Sequence, residues 1–126
     1  MIERRGDLRD RIARDERVAL AWCASGQPAV AEIAAAAGLP AVVLDAQHGL
    51  WTRAGIEAAV GALAETPVLV RVAENGAAAI GAALDAGAEG VIVPMVESAA
   101  EAARAVAHAR YPPEGQRAVG GPRPLM

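Results

Sequence analysis

Two short runs of branched apolar residues, Val68–Val70 and Val91–Val93, stand on either side of an alanine-rich segment, 77–86, that Gly87 closes. Each run has the length and composition of a buried strand, and the segment between them has helical spacing. Two strands joined by a helix cannot form a hairpin. They must lie parallel, and about thirty residues from Thr66 to Met95 is the length of one βαβ unit. This unit sets the frame for the rest of the chain.

The pattern extends to both sides. Val18–Trp22 is a first strand, and Gly26, Gln27 and Pro28 turn out of it. Pro28 suits the first turn of a helix, which Ala29–Ala37 continues until Gly38 and Pro40 stop it. Ala41–Leu44 is the second strand, left through Asp45, Gln47, His48 and Gly49. Thr52 caps a helix over Arg53–Ala64, where Ile56, Ala59, Val60 and Leu63 recur at i, i+3, i+4 and i+7. Beyond the Val91–Val93 strand, Ser98 caps a helix that runs to about Arg110, with Glu101 placed to complete a capping box. A turn-rich tail follows from Tyr111. Leu8, Ile12 and Val18 give the charged lead-in a short apolar edge. Four βα units in series predict an α/β fold with a parallel sheet and right-handed crossovers. The unalternating strands predict cover on both sheet faces. With 126 residues and no linker, the chain reads as one domain, half the length of a (β/α)8 barrel of ~250 residues.

Composition removes several functions. There is no basic run, and two Trp and one Tyr are too few for a base-stacking platform, so no nucleic-acid partner is expected. No stretch has the length of a membrane span, and the charged N-terminus lacks the apolar core of a signal peptide. Cys23 stands alone, which fits a reducing cytoplasm and a packing role. All 12 basic residues are arginine. Without lysine there is no Schiff base, pyridoxal linkage or phosphate-loop lysine.

In parallel α/β folds the chemistry gathers just past the C-terminal ends of the strands. Here that rim collects Trp22, Cys23 and Ser25, then Asp45, Gln47 and His48, then Arg71, Glu74 and Asn75, and finally Pro94, Met95 and Glu97. Arg71 could hold a carboxylate or an enolate oxygen through paired N–H bonds. His48 has the side chain suited to proton transfer near neutrality, and Asp45 and Gln47 support the rim. Plainer roles fit the same positions. Asp45 can cap its own turn, His48 can be a loop residue, and Arg71 can be half of a structural ion pair with Asp45 or Glu74. His108 reads as a surface residue. The Arg4, Arg5, Arg9, Arg11, Arg14 and Arg17 series, interleaved with acids, reads as a solvated face.

The strings DAQHG at 45–49, PVLVRV at 67–72, Asn75, ALDAGAEGVIVPMV at 83–96 and RYPPEGQR at 110–117 resemble, in order and spacing, the HpcH/HpaI aldolase family of class II pyruvate aldolases. The resemblance runs from about Val18 to Gly121. It implies a (β/α)8 TIM barrel, of which this chain holds about the first four βα units, truncated at the C-terminus. It implies reversible cleavage of 4-hydroxy-2-oxo acids to pyruvate and an aldehyde with a divalent metal, Mg²⁺ or Mn²⁺ or similar. By position His48 matches the catalytic base, Arg71 the arginine that stabilises the enolate, and Asp85 a carboxylate credited with raising the basicity of that histidine. Asp85 falls at the end of a helix, on the rim away from His48. The family's glutamate and aspartate metal ligands come from later strands, and no residue here matches them. The expected function is therefore a metal-dependent aldolase by family. The alternative is an inactive half barrel that binds a small anion or serves assembly. Open strand edges predict a homo-oligomer.

Overall fold

The structure, a computed structural model, describes residues 7–63 and 65–125. After a short helix α1 (Asp7–Ala13), strands and helices alternate: β1 (Leu20–Cys23), α2 (Pro28–Ala36), β2 (Ala41–Asp45), α3 (Arg53–Ala62), β3 (Val68–Arg71), α4 (Ala77–Asp85), β4 (Gly90–Ile92) and α5 (Ala99–Ala109). A 3-10 turn occupies Arg123–Leu125. All strand pairs are parallel, in the order β1-β2-β3-β4. An order that advances in one direction puts every right-handed crossover on the same face of the sheet. The helices form one layer there, with α2 beside α3, α3 beside α4 and α4 beside α5. This is the α/β architecture expected of four βα units.

The core lies between sheet and helix layer. Val42, Leu44, Val68 and Val70 point into it and meet Ala31, Ile56, Ala59, Val60, Ile80 and Ala83. Small alanines on the helices let their axes approach the sheet, while the β-branched residues fill the space between. On the other face the cover is incomplete. β2 is buried throughout, but Leu69 and Arg71 on β3 are half-buried, alternating with buried Val68 and Val70. Every residue of β4 is partly exposed. Cover on both faces therefore extends along the whole of β2 but not of β3 or β4, and the layer α2–α5 lies on one side of the sheet.

The helix ends follow from local chemistry. Thr52 Oγ1 accepts the Gly55 N–H at 3.1 Å and caps α3. At the end of α4, the Gly87 N–H reaches the Leu84 carbonyl and the Ala88 N–H reaches the Ala83 carbonyl, a Schellman closure. That closure needs a left-handed residue, and Gly87 supplies it at φ +96°. At α5, Ser98 Oγ accepts the Glu101 N–H, but the Glu101 carboxylate takes the N–H of Glu97 at 2.7 Å instead of completing the box on Ser98.

Several expectations need correction. Ile12 is 59% exposed, so the lead-in helix buries Leu8 and not a continuous apolar edge. His108 is half-buried, with Nδ1 enclosed and without a hydrogen-bond partner. The tail folds back over this turn of α5, through Gln116 N–H to Ala107 O and Arg117 N–H to Arg110 O, so the surface expected there is covered. Arg4, Arg5 and Ala64 lie outside the described residues.

Candidate functional site at the strand ends

Asp45 and Arg71 are the last residues of adjacent strands and stand in register with each other. Parallel strands bring such residues side by side with their chains leaving in the same direction, so a short acidic side chain meets a long basic one at the rim. Asp45 is 3% exposed, the one buried charged side chain among the described residues. Burying a carboxylate is tolerated only if its oxygens are paired. Oδ1 accepts Arg71 Nε at 2.8 Å and the backbone N–H groups of Gln47 and His48, both at 3.1 Å. Oδ2 accepts Arg71 Nη2 and, at 3.2 Å, the indole Nε1–H of Trp22. The Arg71 guanidinium, acting against burial and helped by the His48 N–H, the indole and the Gln47 N–H, holds the Asp45 carboxyl well below the usual carboxylate range.

Both expected roles of Asp45 are therefore present at once. It caps the turn that follows β2, and it is the ion-pair partner of Arg71. Glu74 is not that partner. Two further backbone bonds fix the turn, from Gly49 N–H to Asp45 O and from Leu50 N–H to Ala24 O. Only glycine fits at 49, since a Cβ there would run into the Asp45 carbonyl and come within 2.9 Å of the Ala24 carbonyl. His48 is thus held at the rim by its main chain, and its ring is exposed. The carboxylate of Asp45 reaches the His48 backbone and not the imidazole. Gln47 is half-buried beside it.

The remaining rim residues divide. Asn75 Nδ2 donates to the Glu101 carbonyl at 2.9 Å and ties the loop after Arg71 to α5. Met95 is 79% exposed in a left-handed conformation, φ 58°. Cys23 is buried, and burial pushes its thiol pKa up, as a packing residue requires. Trp22 stands on the rim as expected, but its role as a donor to Asp45 was not legible from its type or spacing.

Asp85 is on the other rim. It ends α4, and because each helix runs back against the strands, its C-terminus lies where the strands begin. There Oδ1 accepts Arg117 Nη2 at 2.9 Å, and the Arg117 guanidinium lies over the Tyr111 ring, 4.6 Å from its centroid. A cavity of about 640 Å³, lined in part by Leu84, Tyr111, Arg117 and Arg123, opens on this rim. Within one copy of the chain Asp85 is a tail anchor, separated from His48 by the length of the sheet.

The donor set does not fit a divalent cation. Both oxygens of Asp45 are taken by N–H donors, and among the described residues no three His, Cys, Asp or Glu side chains converge as metal ligands would. Among the described residues no helix is long and apolar enough to cross a membrane.

A parallel sheet of βα units with a charged, hydrogen-bonded rim at its C-terminal edge is the arrangement of the barrel-type α/β enzymes. Residues 18–126 match the family HpcH/HpaI aldolase/citrate lyase, and the chain belongs to it. Over 105 residues it is 41% identical to a 4-hydroxy-2-oxovalerate aldolase of Novosphingobium aromaticivorans, a match taking in 81% of this chain and 40% of that one. The solved HpcH/HpaI aldolase of Desulfitobacterium hafniense superposes with a TM-score of 0.80 at 33% identity, over 90% of this chain and 45% of the other. A family protein of Burkholderia cenocepacia superposes at 0.85 with 30% identity, over 91% and 48%. The chain thus spans about 40% of the length of the curated relatives it matches, and its sheet is a partial form of their TIM barrel.

Proposed function

We propose that the chain carries the 2-oxo-acid side of a carbon–carbon lyase site, in which Arg71 holds pyruvate and its enolate and His48 moves the proton. The observation that carries this reading is the state of Arg71. A guanidinium has five N–H donors. Asp45 takes two of them, so three remain, on a group that is fixed, charged and 23% exposed at the rim. These can receive the carboxylate or the C2 oxygen of a 2-oxo acid. As the proton leaves C3 the C2 oxygen becomes negative, and a cation already held in place stabilises it without reorganising. In the cleavage direction a base takes the 4-hydroxyl proton, the C3–C4 bond breaks, an aldehyde departs, and protonation of the enolate gives pyruvate. The exposed imidazole of His48 is suited to both proton transfers.

The relatives' names as aldolases support this reaction class. The metal of a class II enzyme has no ligand set among these residues, so cleavage is proposed for them together with donors beyond this chain. Asp85 enters only across an interface between copies. Self-association belongs to the same reading, since β1 and β4 each keep one unpaired edge within the described sheet. Sedimentation at micromolar concentration should give an assembly larger than one chain, and a rigid monomer would refute that part. The same missing donor set favours a second reading, a small-anion-binding module without turnover.

Pyruvate in deuterated water, followed by proton NMR with and without Mg²⁺ or Mn²⁺, separates the two. Both readings expect saturation transfer to pyruvate, and metal-dependent exchange of its methyl protons supports the lyase. Binding without exchange supports the module, and no binding at millimolar pyruvate overturns both.

A further inference from the structure

Trp22 is the anomaly of the rim. A tryptophan buries more apolar area than almost any other side chain, yet this one is 50% exposed at the end of the edge strand β1. The other tryptophan, Trp51, behaves ordinarily: it is 8% exposed and donates its indole N–H to the Cys23 carbonyl. Packing does not hold Trp22 where it is. Its indole N–H donates to Asp45 Oδ2 at 3.2 Å, and the Arg71 guanidinium carbon lies 5.1 Å from its ring centroid. One side chain from β1 therefore touches the anion of β2 at its edge and the cation of β3 at its face.

The geometry constrains motion. Asp45 grips the Nε/Nη2 edge of Arg71, but two parallel hydrogen bonds still permit the pair to rock about the line between them. The indole opposes this by touching both partners. Its N–H fixes the carboxylate oxygen that accepts Nη2, and its π face sits against the guanidinium. Among the described residues the other groups on Asp45 are backbone N–H donors of its own turn, so Trp22 supplies the restraint from outside that turn.

We infer that Trp22 is a positioning residue, which holds the Asp45–Arg71 pair so that the unused donors of Arg71 stay aimed at one place on the rim. The inference rests on the reading of Arg71 as the pyruvate-binding group, but its first readout does not need pyruvate. Trp22→Phe keeps a ring against Arg71 and removes the N–H. In the whole 126-residue chain, the Arg71 Nε–H proton should be visible by NMR and protected, because it is donated to Asp45. In W22F its hydrogen exchange should quicken by about 3–10-fold, while the thermal midpoint stays within a few degrees of the wild type. Pyruvate affinity, measured by saturation transfer, should weaken by a similar factor. Trp22→Ala, which removes the ring as well, should loosen both further.

A W22F chain with unchanged Arg71 exchange and unchanged pyruvate affinity overturns the inference. So does one whose only change is a large fall in thermal midpoint, which would mark Trp22 as a packing residue. If the wild type binds no pyruvate, the proposed function falls, and Arg71 exchange in W22F still decides the role of Trp22.

Discussion

Replacing Arg71 with alanine should reduce pyruvate binding by about 100-fold or more, and should abolish any exchange of the pyruvate methyl protons. The size follows from what is removed. A carboxylate held through two charge-assisted N–H bonds loses both, each worth about 1.5–3 kcal/mol against a charged partner. Any enolate loses the cation opposite its oxygen as well. Arg71→Lys should recover little. An ammonium can face Asp45 or the ligand, but it lacks the planar fork that presents one edge to each. Because R71A leaves Asp45 buried with its strongest partner gone, a loss of binding could come from a collapsed rim. The double variant R71A/D45N removes that uncompensated charge. Circular dichroism and the thermal midpoint then report the fold while pyruvate saturation transfer reports the site. A folded R71A chain that binds pyruvate as tightly as the wild type would remove Arg71 from the mechanism.

How much of this was legible in the sequence differs between fold and site. The βα repeat was readable because each element carries its own physical signature. Thr52 and Ser98 cap the helices they were expected to cap, Gly87 closes α4, and the strands lie within a residue or two of their apolar runs. The open face was not readable from strand composition. Val68, Leu69 and Val70 look alike as a string, and only the one-sided helix layer makes Leu69 differ from its neighbours. At the site, Asp45, His48 and Arg71 share a rim because parallel strands end together, which position alone dictates. The pairing of Asp45 with Arg71 needed register, since Glu74 was the nearer candidate in sequence. Trp22 needed three dimensions. Nothing in the spacing of residues 22, 45 and 71 shows that an indole from the edge strand closes the carboxylate's shell. The same holds for Asp85 and Arg117, which meet only because the tail folds back beneath α4.

Asp45→Asn should destabilise the fold by about 2–4 kcal/mol at neutral pH, and the loss should depend on pH in a defined direction. Five N–H groups converge on two carboxylate oxygens. An asparagine of the same shape has one acceptor oxygen. If that oxygen keeps the Gln47 and His48 donors, the amide NH₂ faces Arg71 Nη2 and the Trp22 indole, donor against donor. Removing one member of a buried charge pair costs about 3–5 kcal/mol, and the 23% exposure of the Arg71 side chain reduces that somewhat. The pH dependence follows from linkage. The folded-state carboxyl of Asp45 lies below its unfolded value of about 3.9, so as acid is added the unfolded chain takes up the proton first. The stabilisation from Asp45 is therefore complete above about pH 5, declines as the pH falls past the unfolded value and is lost as it falls through the lower, folded value. D45N has no such group. Urea unfolding of both chains should show the full difference at pH 7 and 5 and a smaller one at pH 3. An equal difference at pH 3 and pH 7 would mean that Asp45 acts through shape and not through its charge on Arg71.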